Sequence, residues 1–304
     1  MINLFSALKK SSQYRKMEVN ELLFVEYTCM REETKFGIWS PNNYFAFITS
    51  GKKMWRSINH SYEVNEGDII FIKKGANLTH QFFEDEFCAI FIFIPDEFIK
   101  AFLKRNSSLV DAPQKDLSHQ DSIIRVRPDE LLESYYRSIQ SYLLLPKTPD
   151  PRLIKHKFEE LLLSLFSDNR HPDLTDYFIS ICQNREYHMS RVMEENYAYN
   201  LKLEEYAQLC HMSLSAFKKS FKQYYNTTPA NWLKLRKLNL ACDLVLSSDL
   251  NISQISFDCG FEDTSHFIRV FKEKYRLTPL QYRQKHTKYS PHQTKPPESI
   301  YLTF

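Results

Sequence analysis

Residues 252–283, ISQISFDCGFEDTSHFIRVFKEKYRLTPLQYR, restrict the fold more than any other segment, because apolar and turn-forming residues follow one another there in a fixed order. Ile252 and Ile255 lie on one face of a short predicted helix, and Gly260 then suits a left-handed helix end. A second predicted helix carries apolar side chains at helical spacing, at Phe267, Val270, Phe271 and Tyr275. The segment therefore predicts two short helices joined by a tight turn.

The second predicted helix has a polar start and a polar outer face. Its first turn can be capped by the short side chains of Asp263, Thr264 and Ser265. The face opposite the apolar side chains carries His266, Arg269 and Lys272. Pro279 suits the first turn of a further helix. This arrangement is typical of a helix-turn-helix motif, in which one helix braces a second that enters the major groove of DNA.

A looser copy of the same pattern lies upstream, at residues 201–229. Residues 201–210 predict the bracing helix, and Ser213 can cap a following helix whose Phe217 and Phe221 face inward. The outer face of that helix carries Ser215, Lys218, Lys219 and Lys222. A Thr-Pro pair ends both copies, and residues 230–247 predict a long helix between them. Two joined motifs are a more specific signal than one.

These features resemble the signature of the AraC/XylS family of bacterial transcription regulators. The matching residues of the downstream motif are Ile252, Ile255, Gly260, Phe261, Ser265, Phe267, Phe271, Lys272, Pro279, Tyr282 and Arg283, and residues 212–221 match the upstream motif. The sequence departs at Arg276 and Leu277, where the family usually has glycine before Thr-Pro, and at Ser256, where alanine is usual. The resemblance implies a sequence-specific regulator, by family habit an activator, with promoter DNA and RNA polymerase as partners.

Two sets of DNA-contacting residues follow from exposed positions and from the match to the family. The predicted base-contacting residues are Ser215, Lys218, Lys219, Thr264, Ser265, His266 and Arg269. The predicted phosphate-contacting residues are Lys222, Arg236, Lys237, Lys272 and Arg283. Lysine and arginine can bond guanine edges, whereas phosphate contacts give salt-dependent affinity without sequence information. A rigid spacer would place the two helices in successive major grooves, about one helical turn apart.

The charge distribution agrees with a polyanionic partner at one end of the chain. Residues 201–290 carry 14 lysines and arginines and 8 acidic residues, a net charge of +6, which leaves −3 for the rest of a chain whose total is +3. A basic end beside a mildly acidic remainder suits nucleic acid. The alternative is a solvated helical surface.

Short apolar and alternating runs dominate the N-terminal part and are separated by turn signals such as Ser50-Gly51 and Glu66-Gly67-Asp68. The main runs are residues 22–25, 44–48, 68–72, 87–94 and 123–126. Several short strands at this spacing predict an antiparallel barrel or sandwich. Residues 64–72 resemble the second half of a cupin-type barrel, and the order of strands and turns is similar to the ExsA branch of the AraC family.

The resemblance implies an input at this cupin-like barrel. It is a small effector molecule in AraC-like regulators and a partner protein in the ExsA branch, and the sequence leaves both open. The aromatic residues Trp39, Phe45, Phe47, Trp55, Phe82 and Phe83 either line a pocket or form plain core.

Two enzyme classes are alternatives to a regulator. A metal-dependent cupin enzyme fused to a DNA-binding module needs clustered histidines, and here His60 and His80 stand apart. A DNA-repair protein with a methyl-accepting cysteine needs an activated thiolate, and the six cysteines are scattered. We therefore expect no catalytic residue, metal or cofactor. The absence of a disulfide pattern, of a signal sequence and of a long apolar run indicates a cytoplasmic protein.

The middle of the chain predicts two helices, at residues 128–145 and 153–167. The second has more leucine than one face can bury, which favours either a homodimer contact or packing on the chain's own barrel. The sequence as a whole predicts an α+β chain. A cupin-like sensor domain at 1–127 precedes a helical linker and dimerisation region at 128–185, an all-α double helix-turn-helix domain at 186–286 and a polar tail at 287–304.

Overall fold

The computed structural model describes residues 1–28, 35–57, 60–81, 86–109, 121–167, 170–182 and 185–287. Phe82, Phe83, Cys29 and the tail beyond residue 287 lie outside these described residues. The chain divides into two compact units, Met1–Arg191 and Val192–Phe304. The first is built on β-sheets and the second is helical, which confirms the predicted α+β class. The bounds of the four predicted domains and the likeness to a cupin barrel remain predictions.

Eleven strands in the described residues form two sheets. They are β1 Ile2–Asn3, β2 Lys16–Val19, β3 Leu22–Thr28, β4 Lys35–Ser40, β5 Asn43–Ser50, β6 Lys53–Arg56, β7 Ser61–Val64, β8 Ile69–Ile72, β9 Gly75–Gln81, β10 Cys88–Ile94 and β11 Ile123–Val126. One sheet has the order β1-β4-β9-β6-β7, and the other has the order β11-β8-β5-β10-β3-β2. Every neighbouring pair in the six-stranded sheet is antiparallel.

The six-stranded sheet is buried on both faces. In β8, Ile70 and Ile72 belong to a core shared with the five-stranded sheet, whereas Ile69 and Phe71 belong to a core shared with helices. The same alternation holds in β5 and β10. Successive side chains of a strand point to opposite faces, so burial on both sides demands the continuous apolar runs seen in the sequence.

Four helices cover the outer face of that sheet. The N-terminal unit contains α1 Leu4–Lys10, α2 Asp96–Arg105, α3 Glu130–Leu143, α4 Pro151–Phe166 and α5 Pro172–Ser180, and α6 Arg185–Asn196 crosses into the second unit. Helices α2 to α5 contribute to the outer core. Leu161, Leu162 and Leu165 of α4 are fully buried there, while Leu163 is 45% exposed. Most of the leucine that suggested a dimer contact is thus covered by the chain itself, and dimerisation stays a prediction.

A buried polar network joins β5, α2 and α5. The Lys74 ammonium lies 2.6 Å from the Asp96 carboxylate, and both side chains are almost fully buried. Asn43 donates to Asp96 at 2.8 Å, and the Tyr177 hydroxyl donates to Asn43 at 2.6 Å. A buried carboxylate needs such partners because desolvation of a charge is expensive.

The C-terminal unit repeats one helical pattern. After the end of α6 it contains α7 Leu203–Leu209, α8 Leu214–Tyr225, α9 Pro229–Ser247, α10 Ile252–Asp258, α11 Thr264–Tyr275 and α12 Pro279–Thr287. Helices α7 and α8 form the upstream helix-turn-helix, and α10 and α11 form the downstream one, with α9 between them. No helix among the described residues is long and apolar enough to cross a membrane.

Candidate nucleic-acid interface

The turn between α10 and α11 depends on Gly260. Its φ is +71°, in the left-handed region that favours glycine. A Cβ atom at this position would lie 2.4 Å from the carbonyl oxygen of Ala198. The sequence predicted the left-handed conformation, but the close approach to Ala198 had no local signal because it joins distant parts of the chain.

Helix α11 begins at the cap that the sequence predicted. Asp263 accepts backbone hydrogen bonds from Ser265 at 3.0 Å and from His266 at 2.9 Å. These two bonds lower the pKa of Asp263, because they stabilise its ionised form. Phe267, Val270 and Phe271 are buried in the core of the motif. Burial of this face leaves Ser265, His266, Arg269 and Lys272 exposed, with Thr264 half-buried.

Helix α8 is built in the same way. Ser213 accepts a hydrogen bond from the Ala216 N–H at 3.3 Å and so caps the first turn. Phe217 and Phe221 are fully buried. The opposite face presents four exposed side chains, Ser215, Lys218, Lys219 and Lys222.

Helices α8 and α11 are the second helices of the two motifs. Their sequences can be aligned residue by residue, because α8 begins at Leu214 and α11 begins fifty residues later at Thr264. Equivalent pairs with exposed side chains are Ser215 and Ser265, Lys219 and Arg269, and Lys222 and Lys272. Lys218 corresponds to the half-buried Ile268, and His266 to Ala216. This register is not apparent from the spacing of residues alone, because the turn is one residue longer in the downstream motif.

Three of the predicted phosphate-contacting residues make contacts inside the C-terminal unit. Arg236 pairs with Glu194 and lies over the rings of Tyr197 and Trp232, at 4.9 and 5.5 Å. Lys237 donates to the Gly260 carbonyl at 2.8 Å, and Arg283 donates to the Val245 carbonyl at 2.9 Å. Lys222 and Lys272 are the two members of the set that the structure leaves exposed.

The departure from the family pattern at Arg276 has a structural consequence. Arg276 follows the end of α11 with φ of +63°, and Asn226 takes the equivalent position after α8 with φ of +53°. Asparagine tolerates this conformation better than arginine. The downstream motif therefore keeps the left-handed helix end without the glycine that usually provides it.

A groove of about 250 Å³ lies in the N-terminal unit, between β5 and α3. Phe47 and Tyr136 line it with their rings stacked at 5.6 Å, and Glu66, Asp68 and Glu133 supply carboxylates. Burial, with a smaller effect of the Glu26 charge, raises the pKa of Tyr136 to about 12. Of the predicted pocket aromatics that the structure describes, Phe47 lines this groove, and Trp39, Phe45 and Trp55 are buried.

His60 is exposed, and its Nδ1 lies 2.7 Å from the Asp121 carboxylate. Across the described residues, no group of three or more His, Cys, Asp or Glu side chains could hold a metal ion. The cysteines in those residues, Cys88, Cys182, Cys210, Cys242 and Cys259, are all free thiols.

Comparison with known families gives two matches along the chain. The ExsA N-terminal regulatory domain matches residues 43–177, and a helix-turn-helix domain matches residues 206–285. The second match contains α8 and α11 with their exposed faces.

Similar whole proteins are regulators. The virulence regulon transcriptional activator VirF of Yersinia enterocolitica is 25% identical over 238 residues, which cover 78% of this chain and 87% of VirF. The regulator ExsA of Pseudomonas aeruginosa is 24% identical over 237 residues, covering 78% and 84%. The structure of ToxT from Vibrio cholerae aligns with 86% of this chain and 98% of its own, at 15% identity and a TM-score of 0.41. The chain belongs to the AraC/XylS family and is a DNA-binding transcription regulator.

Proposed function

We propose that α8 and α11 enter successive major grooves of promoter DNA, so that one chain binds an asymmetric site. The equivalence of their exposed faces carries this proposal. Both helices present serine in the first turn and a cation one turn later, at Lys219 in α8 and Arg269 in α11. A helix with small polar and basic side chains on its free face fits the major groove.

The base contacts are proposed for Ser215, Lys218 and Lys219 in α8 and for Thr264, Ser265, His266 and Arg269 in α11. Lys222 and Lys272 lie one turn further along the same faces and are proposed to contact phosphates. Such contacts fix the register of the protein on the duplex and make its affinity depend on salt.

The proposed role is transcription activation in the cytoplasm, in contact with RNA polymerase, and without catalysis. The names of VirF and LcrF, an activator and a thermoregulatory protein, support a regulatory output. The N-terminal unit is proposed to receive the signal, from a small molecule or a partner protein, and to pair with a second copy. Elemental analysis of the purified protein tests the expectation that it carries no metal.

The test uses a duplex that the unaltered protein selects from a random pool. Lys219→Ala and Arg269→Ala are each expected to weaken binding by about tenfold and to relax base preference, at different positions of the site. Lys234→Ala is the control, since Lys234 is an exposed lysine of the spacer helix α9. The proposal fails if both variants keep full preference, or if both relax the same position.

A further inference from the structure

Lys237 of α9 contacts the downstream turn. Its Nζ donates to the Gly260 carbonyl at 2.8 Å and lies 5.9 Å from the centre of the Phe261 ring. The Gly260 N–H itself donates to the Phe257 carbonyl at 2.8 Å, so Gly260 closes the C-terminal end of α10. A cation at a helix C-terminus is favourable, because carbonyl groups there carry partial negative charge.

This ammonium is poorly placed to contact a phosphate. It is largely removed from water, and burial lowers the pKa of Lys237 to about 8. The nearby Cys259 thiol and Glu262 carboxylate have smaller, opposite effects. Lys234, three residues earlier on the same helix, is exposed by contrast.

The turn is held from a second side by the chain that follows α6. The Ala198 carbonyl packs directly against Gly260, and the Asn200 amide donates to the Glu262 carboxylate at 2.5 Å. Glu262 precedes the α11 cap Asp263 by one residue. The start of α11 is therefore fixed between α9 and residues 198–200.

We propose that Lys237 is a positioning residue, which fixes the turn before α11 and thereby sets where the base-contacting side chains of α11 meet DNA. This inference rests on the proposed base-contacting role of α11. Recognition groups must be held within about 0.5 Å of their working geometry, so a turn that loosens costs base preference more than general affinity.

The experiment compares Lys237→Met, which keeps the alkyl stem over Phe261, with Lys222→Met and Lys234→Met on the same selected duplex. Affinity is measured across a salt series and against duplexes substituted at each position. For Lys237→Met we expect an unchanged salt slope and an about tenfold loss of base preference, confined to the positions that Arg269→Ala relaxes. Lys222→Met should lower the slope by about one unit and keep base preference. Lys234→Met should leave base preference unchanged.

A phosphate role for Lys237 would lower the salt slope by about one unit and weaken all duplexes equally, and this result overturns the proposal. Lys237→Arg keeps a donor and should restore base preference; failure to do so also overturns it. If Lys237→Met melts below the assay temperature, Lys237→Gln replaces it. If Lys237→Met loses base preference while Arg269→Ala keeps it, the base contacts of the proposed function are rejected instead.

Discussion

At the scale of one residue, Gly260 and Gly67 distinguish the stability cost of a left-handed backbone from the stability cost of a steric clash. Both have positive φ, +71° and +87°, but an added Cβ meets the Ala198 carbonyl only at Gly260 and finds open space at Gly67. Gly67→Ala should therefore cost about 1 kcal/mol of unfolding free energy from the left-handed conformation alone. Gly260→Ala should cost roughly 2–4 kcal/mol, because the clash adds to it.

Calorimetry of the full chain, with hydrogen exchange to assign each transition to its unit, measures the two losses. Equal losses would mean that the chain near Ala198 moves aside at no cost. The conformation of Gly260 could be predicted from its place after an amphipathic helix, and its contact with Ala198 could not, since residues so far apart in sequence leave no periodic signal.

Lys237 makes stability depend on pH in a defined window. Its folded pKa of about 8 lies below the ordinary 10.5 of lysine, so the unfolded chain binds more protons between these values. The free energy of unfolding should therefore rise, relative to that of Lys237→Met, as pH increases from 8 to about 10.5. The difference should grow by at most about 1.4 kcal/mol per pH unit.

Urea unfolding of both proteins at a series of pH values measures this difference. Burial raises the pKa of Tyr206, and Lys237 has no part in that shift, so the effect of Tyr206 cancels in the comparison. Burial also raises the pKa of Cys259, which the Lys237 charge lowers by a smaller amount. A difference that stays constant or falls with pH would contradict a buried ammonium at Lys237.

At the scale of elements, apolar runs in the sequence predicted five of the eleven described strands, all in the six-stranded sheet, but not which strands are neighbours. The run at residues 87–94 predicted a strand, and β10 occupies nearly the same residues. Its position between β3 and β5 depends on contacts distant in sequence. Continuous apolar runs are typical of strands buried on both faces, but they do not say which helix covers which strand.

The network of Lys74, Asp96 and Asn43 ties α2 to the six-stranded sheet. Asp96→Ala removes the carboxylate that faces the buried Lys74 ammonium, so we expect a loss of about 3–5 kcal/mol in the stability of the N-terminal unit. Glu97→Ala is the matched control, because Glu97 pairs with Lys100 on the exposed face of the same helix. That change should cost less than about 1 kcal/mol. Denaturant unfolding measures both losses. If Asp96→Ala and Glu97→Ala lose the same stability, the network has no special role in stability.

The sequence predicted that α7–α8 and α10–α11 repeat one pattern, but not which residues of the two motifs are equivalent. Apolar spacing identified both second helices, and capping residues identified their starts. The extra residue in the downstream turn, which aligns Lys219 with Arg269, became visible only when the helix starts Leu214 and Thr264 were compared. The phosphate contacts stay predictions, and a basic side chain such as Arg283 also bonds a backbone carbonyl of its own unit.

For the whole molecule, the division into a sheet-based unit and a helical unit suggests separate tasks. We propose that the predicted domain at 186–286 contains all DNA contacts, because α8 and α11 both lie there, inside the stretch 201–290 whose net charge is +6. The chain outside residues 201–290 has a net charge of −3 and adds no attraction to a polyanion. Any gain in affinity from the N-terminal unit must then come from pairing two chains on one promoter.

Residues 186–304 and the full chain should therefore bind a duplex carrying one site with equal affinity, within about threefold. On a duplex carrying two sites the full chain should bind at least tenfold more tightly, because pairing makes the second binding event intramolecular. Mobility-shift titrations on the two duplexes give this ratio, and circular dichroism confirms that the fragment is helical. A folded fragment that fails on the single site would mean that the N-terminal unit takes part in DNA binding itself. Equal affinities on the double site would exclude pairing as the source of cooperativity.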